Sequence, residues 1–98
     1  MSLNTLEKIF GKSAQSTVLE HLLKNQGKTA YLSGIAEATG LSHSSVSRVI
    51  EPLVEIDIVK EERIGKMIRT FTLNENSELT RNLISFYQSL NISLRSEG

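Results

Sequence analysis

The 98-residue sequence predicts a mainly α-helical domain with one small β-hairpin, an α+β arrangement. Three observations carry that prediction. Apolar residues recur at helical spacing in several separate stretches. A β-prone run, broken at its centre by Ile64-Gly65-Lys66, follows the fourth of them. A single proline and no low-complexity tract leave only short turns between elements.

Leu3, Leu6, Ile9 and Phe10 share a helical face in a short segment that Gly11 ends, and Ser13 stands where the next helix needs an N-cap. That second helix carries Ala14, Val18, Leu19, Leu22 and Leu23 on one side and closes at Asn25-Gln26-Gly27. Thr29-Ala30-Tyr31 is β-prone but too short to stand alone, so it must pair with strands elsewhere. Ser33 is expected to cap a third helix, with Ile35, Ala36 and Thr39 facing inward and Gly40 closing it. Ser42 caps a fourth, in which Val46, Val49, Ile50 and Leu53 repeat at i, i+3, i+4, i+7.

Pro52 lies inside that pattern, and apolar spacing continues through Leu53 to Ile56, which predicts a bend and not a break. From Ile58 the period becomes two. Ile58 to Arg63 and Met67 to Leu73 form the two strands of a hairpin with Gly65 at its tip. Asn74-Glu75-Asn76-Ser77 then introduces a last helix over 77–95, where Leu79, Leu83, Phe86, Leu90 and Leu94 follow a nearly heptad stripe.

Length and composition narrow the function classes. The chain is expected to form one domain over 1–98, with a core over 13–73 and no room for a second, catalytic unit. There is no cysteine, so disulfides, thiolate chemistry and cysteine-ligated metals drop out, and His21 and His43 alone do not predict a zinc site. Neither a membrane-spanning run nor a signal-peptide pattern is present, and a cytoplasmic location is expected. No function attaches to Met1-Ser2-Leu3 or Glu97-Gly98. Asp57 is the only aspartate, and neither a Ser–His–acid order nor a glycine-rich phosphate loop occurs. Neither catalysis nor a cofactor is expected. Eleven basic and eleven acidic residues give no net charge, but the distribution over faces matters more to a polyanion than the total.

The segment Leu32-Ser-Gly-Ile-Ala36-Glu-Ala-Thr-Gly40-Leu-Ser-His-Ser-Ser-Val46-Ser-Arg-Val49 resembles a helix-turn-helix motif. Each matching residue has a steric reason: Ala36 lets two crossing helices approach, Gly40 turns the corner, and the β-branched Val46 and Val49 plug the second helix onto the first. With the hairpin after it, the region of about 14–73 resembles a winged helix-turn-helix of the MarR/ArsR-like type. That resemblance implies a transcriptional regulator that binds double-stranded DNA. The second helix of the motif would enter the major groove and the hairpin would act as a wing on the backbone or minor groove.

Carried onto this chain, the DNA-facing candidates are Ser42, His43, Ser44, Ser47 and Arg48. Arg48 is the candidate base reader, since a guanidinium pairs bidentately with guanine, and the serines suit phosphates and close approach. The wing would add Arg63, Lys66 and Arg69, each contributing about 0.9 to the salt slope where it displaces a counterion. Glu61 and Glu62 on the wing, and Glu51 and Glu55 on the reading helix, interrupt that basic surface.

The stripe Leu79, Leu83, Phe86 and Leu90 needs a partner once the other helices have enclosed a core, and it predicts a homodimer seam, with Leu6, Ile9 and Phe10 as candidate additions. Two reading helices would then lie about 34 Å apart, matching a pseudo-palindrome. The alternative function is a winged-helix module that binds a protein without touching DNA.

Overall fold

The computed structural model describes residues 4–97, with side chains to Arg95; Met1, Ser2, Leu3 and Gly98 lie outside the described residues. Its order is α1 (Thr5–Phe10), α2 (Ala14–Lys24), β1 (Ala30–Tyr31), α3 (Leu32–Thr39), α4 (His43–Glu55), β2 (Val59–Ile64), β3 (Ile68–Leu73) and α5 (Glu78–Glu97). Helix α1 ends at Gly11, and Ser13 caps α2 by accepting the amide of Ser16 at 3.2 Å. The third helix begins two residues earlier than its sequence suggests. Tyr31 is its N-cap and Ser33 is exposed in the first turn, because the backbone passes straight from the β1 pairing into the helix.

Gly40 takes the left-handed conformation at φ 73°, which lets its amide bond back to the Ala36 carbonyl and turns the chain into α4. Ser42 then caps α4 through the Ser45 amide at 3.1 Å. The helix runs through Pro52 to Glu55. Pro52 has no N–H for the Arg48 carbonyl four residues back, so the helix loses one bond of its ladder there. Apolar spacing does not hold to Ile56, which is exposed. Asp57, at φ 63°, reverses the chain where a glycine is more usual, and its carbonyl accepts from the Asn74 side chain at 3.1 Å.

The sheet has strand order β1-β3-β2, all antiparallel, with Ala30 opposite Phe71 and Arg63 opposite Arg69. Gly65, at φ 67°, opens a three-residue loop of Gly65, Lys66 and Met67 between the paired Ile64 and Ile68. The short Thr29–Tyr31 run, unstable alone, survives by pairing on the free edge of β3.

Val18, Leu22 and Leu23 of α2, Ile35 and Ala36 of α3, and Val46, Ile50 and Leu53 of α4 meet Ile58, Val59, Phe71 and Leu73 in one core. Val49 is only partly buried against it. The last helix is two-faced. Ile84 and Tyr87 of α5 are buried in the same core with Thr80, whereas Leu79 and Phe86 are exposed and Leu83 and Leu90 lie between. Of the predicted stripe, Leu83 and Leu90 thus find part of their cover within the same chain, and Leu79 and Phe86 are left exposed.

Candidate nucleic-acid interface

The capping geometry that starts α4 decides what its first turn can offer. Ser42 is spent on the cap: it accepts the Ser45 amide and donates to the Ser45 hydroxyl at 2.9 Å, with the Ser44 hydroxyl 3.2 Å away. His43 and Ser44 are exposed, Ser47 is half-buried, and Arg48 is exposed one turn after Ser44. Among the described residues, neither His43 nor Arg48 has a side-chain hydrogen bond or ion pair. The solvent face of α4 thus presents a helix N-terminus, two hydroxyls, an imidazole and one unpaired guanidinium.

The hairpin stands beside that face, and its alternation explains where its charges go. One face of the ribbon starts as the buried Val59, Leu73 and Phe71 and continues toward the tip as Glu61, Arg69 and Arg63. Arg69 consequently lies over the Phe71 ring, 5.2 Å from its centroid, and faces α4. Its Nε and Nη2 donate to the two oxygens of Glu61, each at 3.0 Å, and Nη2 donates also to Glu51 of α4. Both carboxylates push the Arg69 pKa up, Glu61 more than Glu51.

Arg69 stands directly across the ladder from Arg63, one pair in from the tip loop, but its guanidinium is turned toward α4 and held among carboxylates, so it is not presented outward as Lys66 is. Arg63 reaches Glu61 at 3.6 Å and Lys60 reaches Glu62 at 3.7 Å, both on the exposed ribbon. Lys66 has no ion-pair partner among the described residues. The remaining tip is apolar, with Met67 90% exposed and Ile64 and Ile68 about half so.

The structure also contains a buried polar cluster that the sequence reading missed. Glu20, 1% exposed, accepts the Thr5 amide at 3.1 Å, the Leu6 amide at 2.6 Å and the Tyr87 hydroxyl at 2.8 Å. A carboxylate from α2 thereby caps the N-terminus of α1 and ties in α5. The signal was present: Glu20 is four residues after buried Ser16 and three before buried Leu23, on the inward face of α2. Next to it, Glu7 accepts the Asn4 amide at 3.0 Å and the Thr17 hydroxyl at 2.7 Å. The Asn4-x-x-Glu7 spacing is a capping signature.

These contacts predict how stability varies with pH. The Asn4 amide and then Thr17 hold the Glu7 carboxyl below its ordinary 4.5, and Arg69 does the same to Glu61. Burial, then Lys24, lowers the His21 imidazole from 6.5, and burial, then Glu20, raises the Tyr87 phenol from 10.0. The depressed groups contribute stability above their ordinary values and lose it as pH falls through their folded values; the raised phenol loses it as pH rises past 10.0. Urea midpoints are expected to be level between 6.5 and 10.0 and to fall on either side, most steeply below 4.5. Equal midpoints in strong acid and at neutrality would contradict these assignments.

No group of three or more metal-ligating side chains occurs among the described residues, and no helix there is long and apolar enough to cross a membrane. No protein-family model matches the sequence, and no curated protein matches it. Solved structures do. MepR, a transcription regulator of the Staphylococcus aureus multidrug efflux pump MepA, superposes with a TM-score of 0.62 at 18% identity, over 95% of this chain and 70% of that one. Reduced HlyU from Vibrio cholerae gives 0.61 at 19%, over 88% of this chain and 84% of that one. RV1404 from Mycobacterium tuberculosis gives 0.59 at 15%, over 95% and 65%. The order of helices, the glycine corner between α3 and α4 and the β2–β3 wing are thus those of a winged helix-turn-helix, the fold this chain shares with these proteins.

Proposed function

We propose that the protein is a cytoplasmic, non-catalytic transcriptional regulator that binds double-stranded DNA as a homodimer. The observation that carries this reading is the solvent face of α4, where Arg48, His43 and Ser44 stand clear of the protein beside a protruding hairpin. Its likeness in fold to MepR, a transcription regulator, supports the same class. In this reading α4 lies in the major groove with Arg48 on a base edge. Ser44 and Ser47 approach phosphates, His43 stands over the groove wall, and Ser42 holds the helix start in shape. Lys66 and the partly paired Arg63 meet the flanking backbone.

The homodimer joins along α5 through the exposed Leu79 and Phe86 and the half-buried Leu83 and Leu90, with the exposed Ile9 and Phe10 of α1 as additions. Selection from a random duplex pool followed by mobility-shift titration tests the reading. Arg48→Ala is expected to weaken binding by about 1–3 kcal/mol and relax preference at one base pair. Lys66→Ala should weaken all sequences alike and lower the salt slope by about 0.9. A pool that yields no retained duplex at low salt would remove the proposal.

A second reading, docking onto a protein, has its own observation. The wing pairs three of its cations internally and ends in Ile64, Met67 and Ile68. A partner that protects Arg48 and Met67 from exchange or labelling, together with absent DNA binding, would decide for it.

A further inference from the structure

We infer that Arg69 is a positioning residue, which locks the wing to the reading helix through Glu51 and Glu61 and does not itself touch the nucleic acid; this rests on the DNA-binding reading above. Its guanidinium is held on three sides. Phe71, 1% exposed and part of the core, lies beneath it. Glu61 of β2 takes two parallel N–H donors, the fork geometry that fixes orientation as well as distance. Glu51 of α4 takes a third bond, and this is the only one of the three that leaves the sheet.

Nη2 alone serves both carboxylates, so their oxygens lie close together and only the cation between them makes that arrangement favourable. Without Arg69, two carboxylates would face each other across the seam between wing and helix, and their repulsion would open it. The hairpin has no other charged bridge to α4 among the described residues. Lys60–Glu62 and Arg63–Glu61 both lie within β2. The angle at which the wing meets DNA is therefore set at Arg69, one ladder pair in from the loop that carries Lys66.

Electrostatics and geometry predict opposite signs for one substitution. Glu51→Gln removes a negative charge from the helix that faces DNA, which by charge alone tightens binding to a polyanion. If the clamp sets the wing, the same change weakens binding. The test compares wild type, Arg69→Met, Arg69→Lys, Glu51→Gln and Lys66→Ala on a duplex retained by the wild-type protein from a random pool. The readouts are salt titration, hydroxyl-radical footprints, and amide hydrogen exchange of the free proteins.

Arg69→Met and Glu51→Gln are expected to bind about tenfold more weakly with an unchanged salt slope, whereas Lys66→Ala lowers the slope by about 0.9. Both should lose protection at the outer edges of the footprint and keep its centre. In the free proteins, amides of β2 and β3 near the tip should exchange faster while those of α2 do not. Arg69→Lys, which can serve one carboxylate at a time, should fall between.

A slope lowered as in Lys66→Ala, with the edges still protected, would make Arg69 a direct phosphate contact and overturn the inference. Unchanged exchange in the wing would overturn it also. If no duplex is retained, the DNA-binding reading fails separately, and the exchange data alone decide whether the clamp holds the hairpin.

Discussion

Glu20→Ala is expected to lower the unfolding free energy by about 3 kcal/mol, the largest loss from any single polar side chain in the molecule. The carboxylate is 1% exposed and satisfies two helix amides and a hydroxyl, all of which lose their acceptor together. An unpaired buried donor costs roughly 1–3 kcal/mol, but the groove beside Glu20 lets water reach part of the site, which keeps the total near the lower sum. For a domain of this size the change corresponds to about 15 °C in Tm at fixed protein concentration.

Graded variants separate the staple from simple packing. Tyr87→Phe removes one of the three bonds and is expected to cost about 1 kcal/mol; Glu20→Gln keeps an acceptor for some of the donors and is expected to cost about 2 kcal/mol. Hydrogen exchange in α1 should rise in Glu20→Ala more than in Tyr87→Phe, because the Thr5 and Leu6 amides bond to the carboxylate and not to the phenol. A Glu20→Ala protein that melts within a degree or two of wild type would mean that α1 is held by Leu6 and by the Glu7–Thr17 and Thr5–Asn91 bonds without the Glu20 carboxylate.

Glu20 also shows where sequence reading succeeds and where it stops. Elements defined by apolar periodicity and local punctuation were legible: Gly11, Ser13, Gly40, Ser42 and the glycine-tipped hairpin all mark boundaries that the structure keeps. Each of those signals acts within a few residues of its cause. Glu20 acts on amides fourteen and fifteen residues away and on a hydroxyl sixty-seven away, so nothing in its neighbourhood names its partners. Its placement on an inward helix face could still have been read.

Arg69 is the more instructive case. Strand alternation puts it on the same face as Phe71 and Leu73, and that pattern alone predicts that it points toward the helix layer. Grouping the wing's basic residues by charge alone, without asking which carboxylates share that face, counted it among the outward cations, whereas Glu61 and Glu51 engage it. Ser33 fails for a similar reason: a good N-cap residue loses to Tyr31 because the sheet, and not capping propensity, decides where the α3 backbone begins.

For the proposed homodimer, Phe86→Glu is expected to convert dimers to monomers and to reduce affinity for a two-half-site operator by about 10²–10⁴-fold, since the second half-site then loses its tethered partner. Phe86 is 45% exposed and Leu79 is 50% exposed on the protomer, so a charge at either place does little to the fold of one copy. The stripe from Leu79 to Leu94 extends about 22 Å along α5 at helical rise. In the proposed dimer two such stripes, with the exposed Ile9 and Phe10 as additions, would bury apolar surface that a monomer leaves in water.

Burying a carboxylate in that seam without a partner costs several kcal/mol per copy, which exceeds what most modest interfaces can absorb. Ser85→Glu, also on the exposed surface of α5 but adjacent to Phe86 in sequence and turned off the stripe, is the control and should remain a dimer. Sedimentation equilibrium separates the two outcomes, and circular dichroism verifies that α5 stays helical in both. The decisive comparison is between half-sites. Phe86→Glu should bind a single half-site as well as wild type does, because Arg48 and α4 are untouched, and should lose only the advantage of the paired site. Loss at both would place Phe86 in the fold of the protomer, and a variant that sediments as a dimer would move the seam elsewhere.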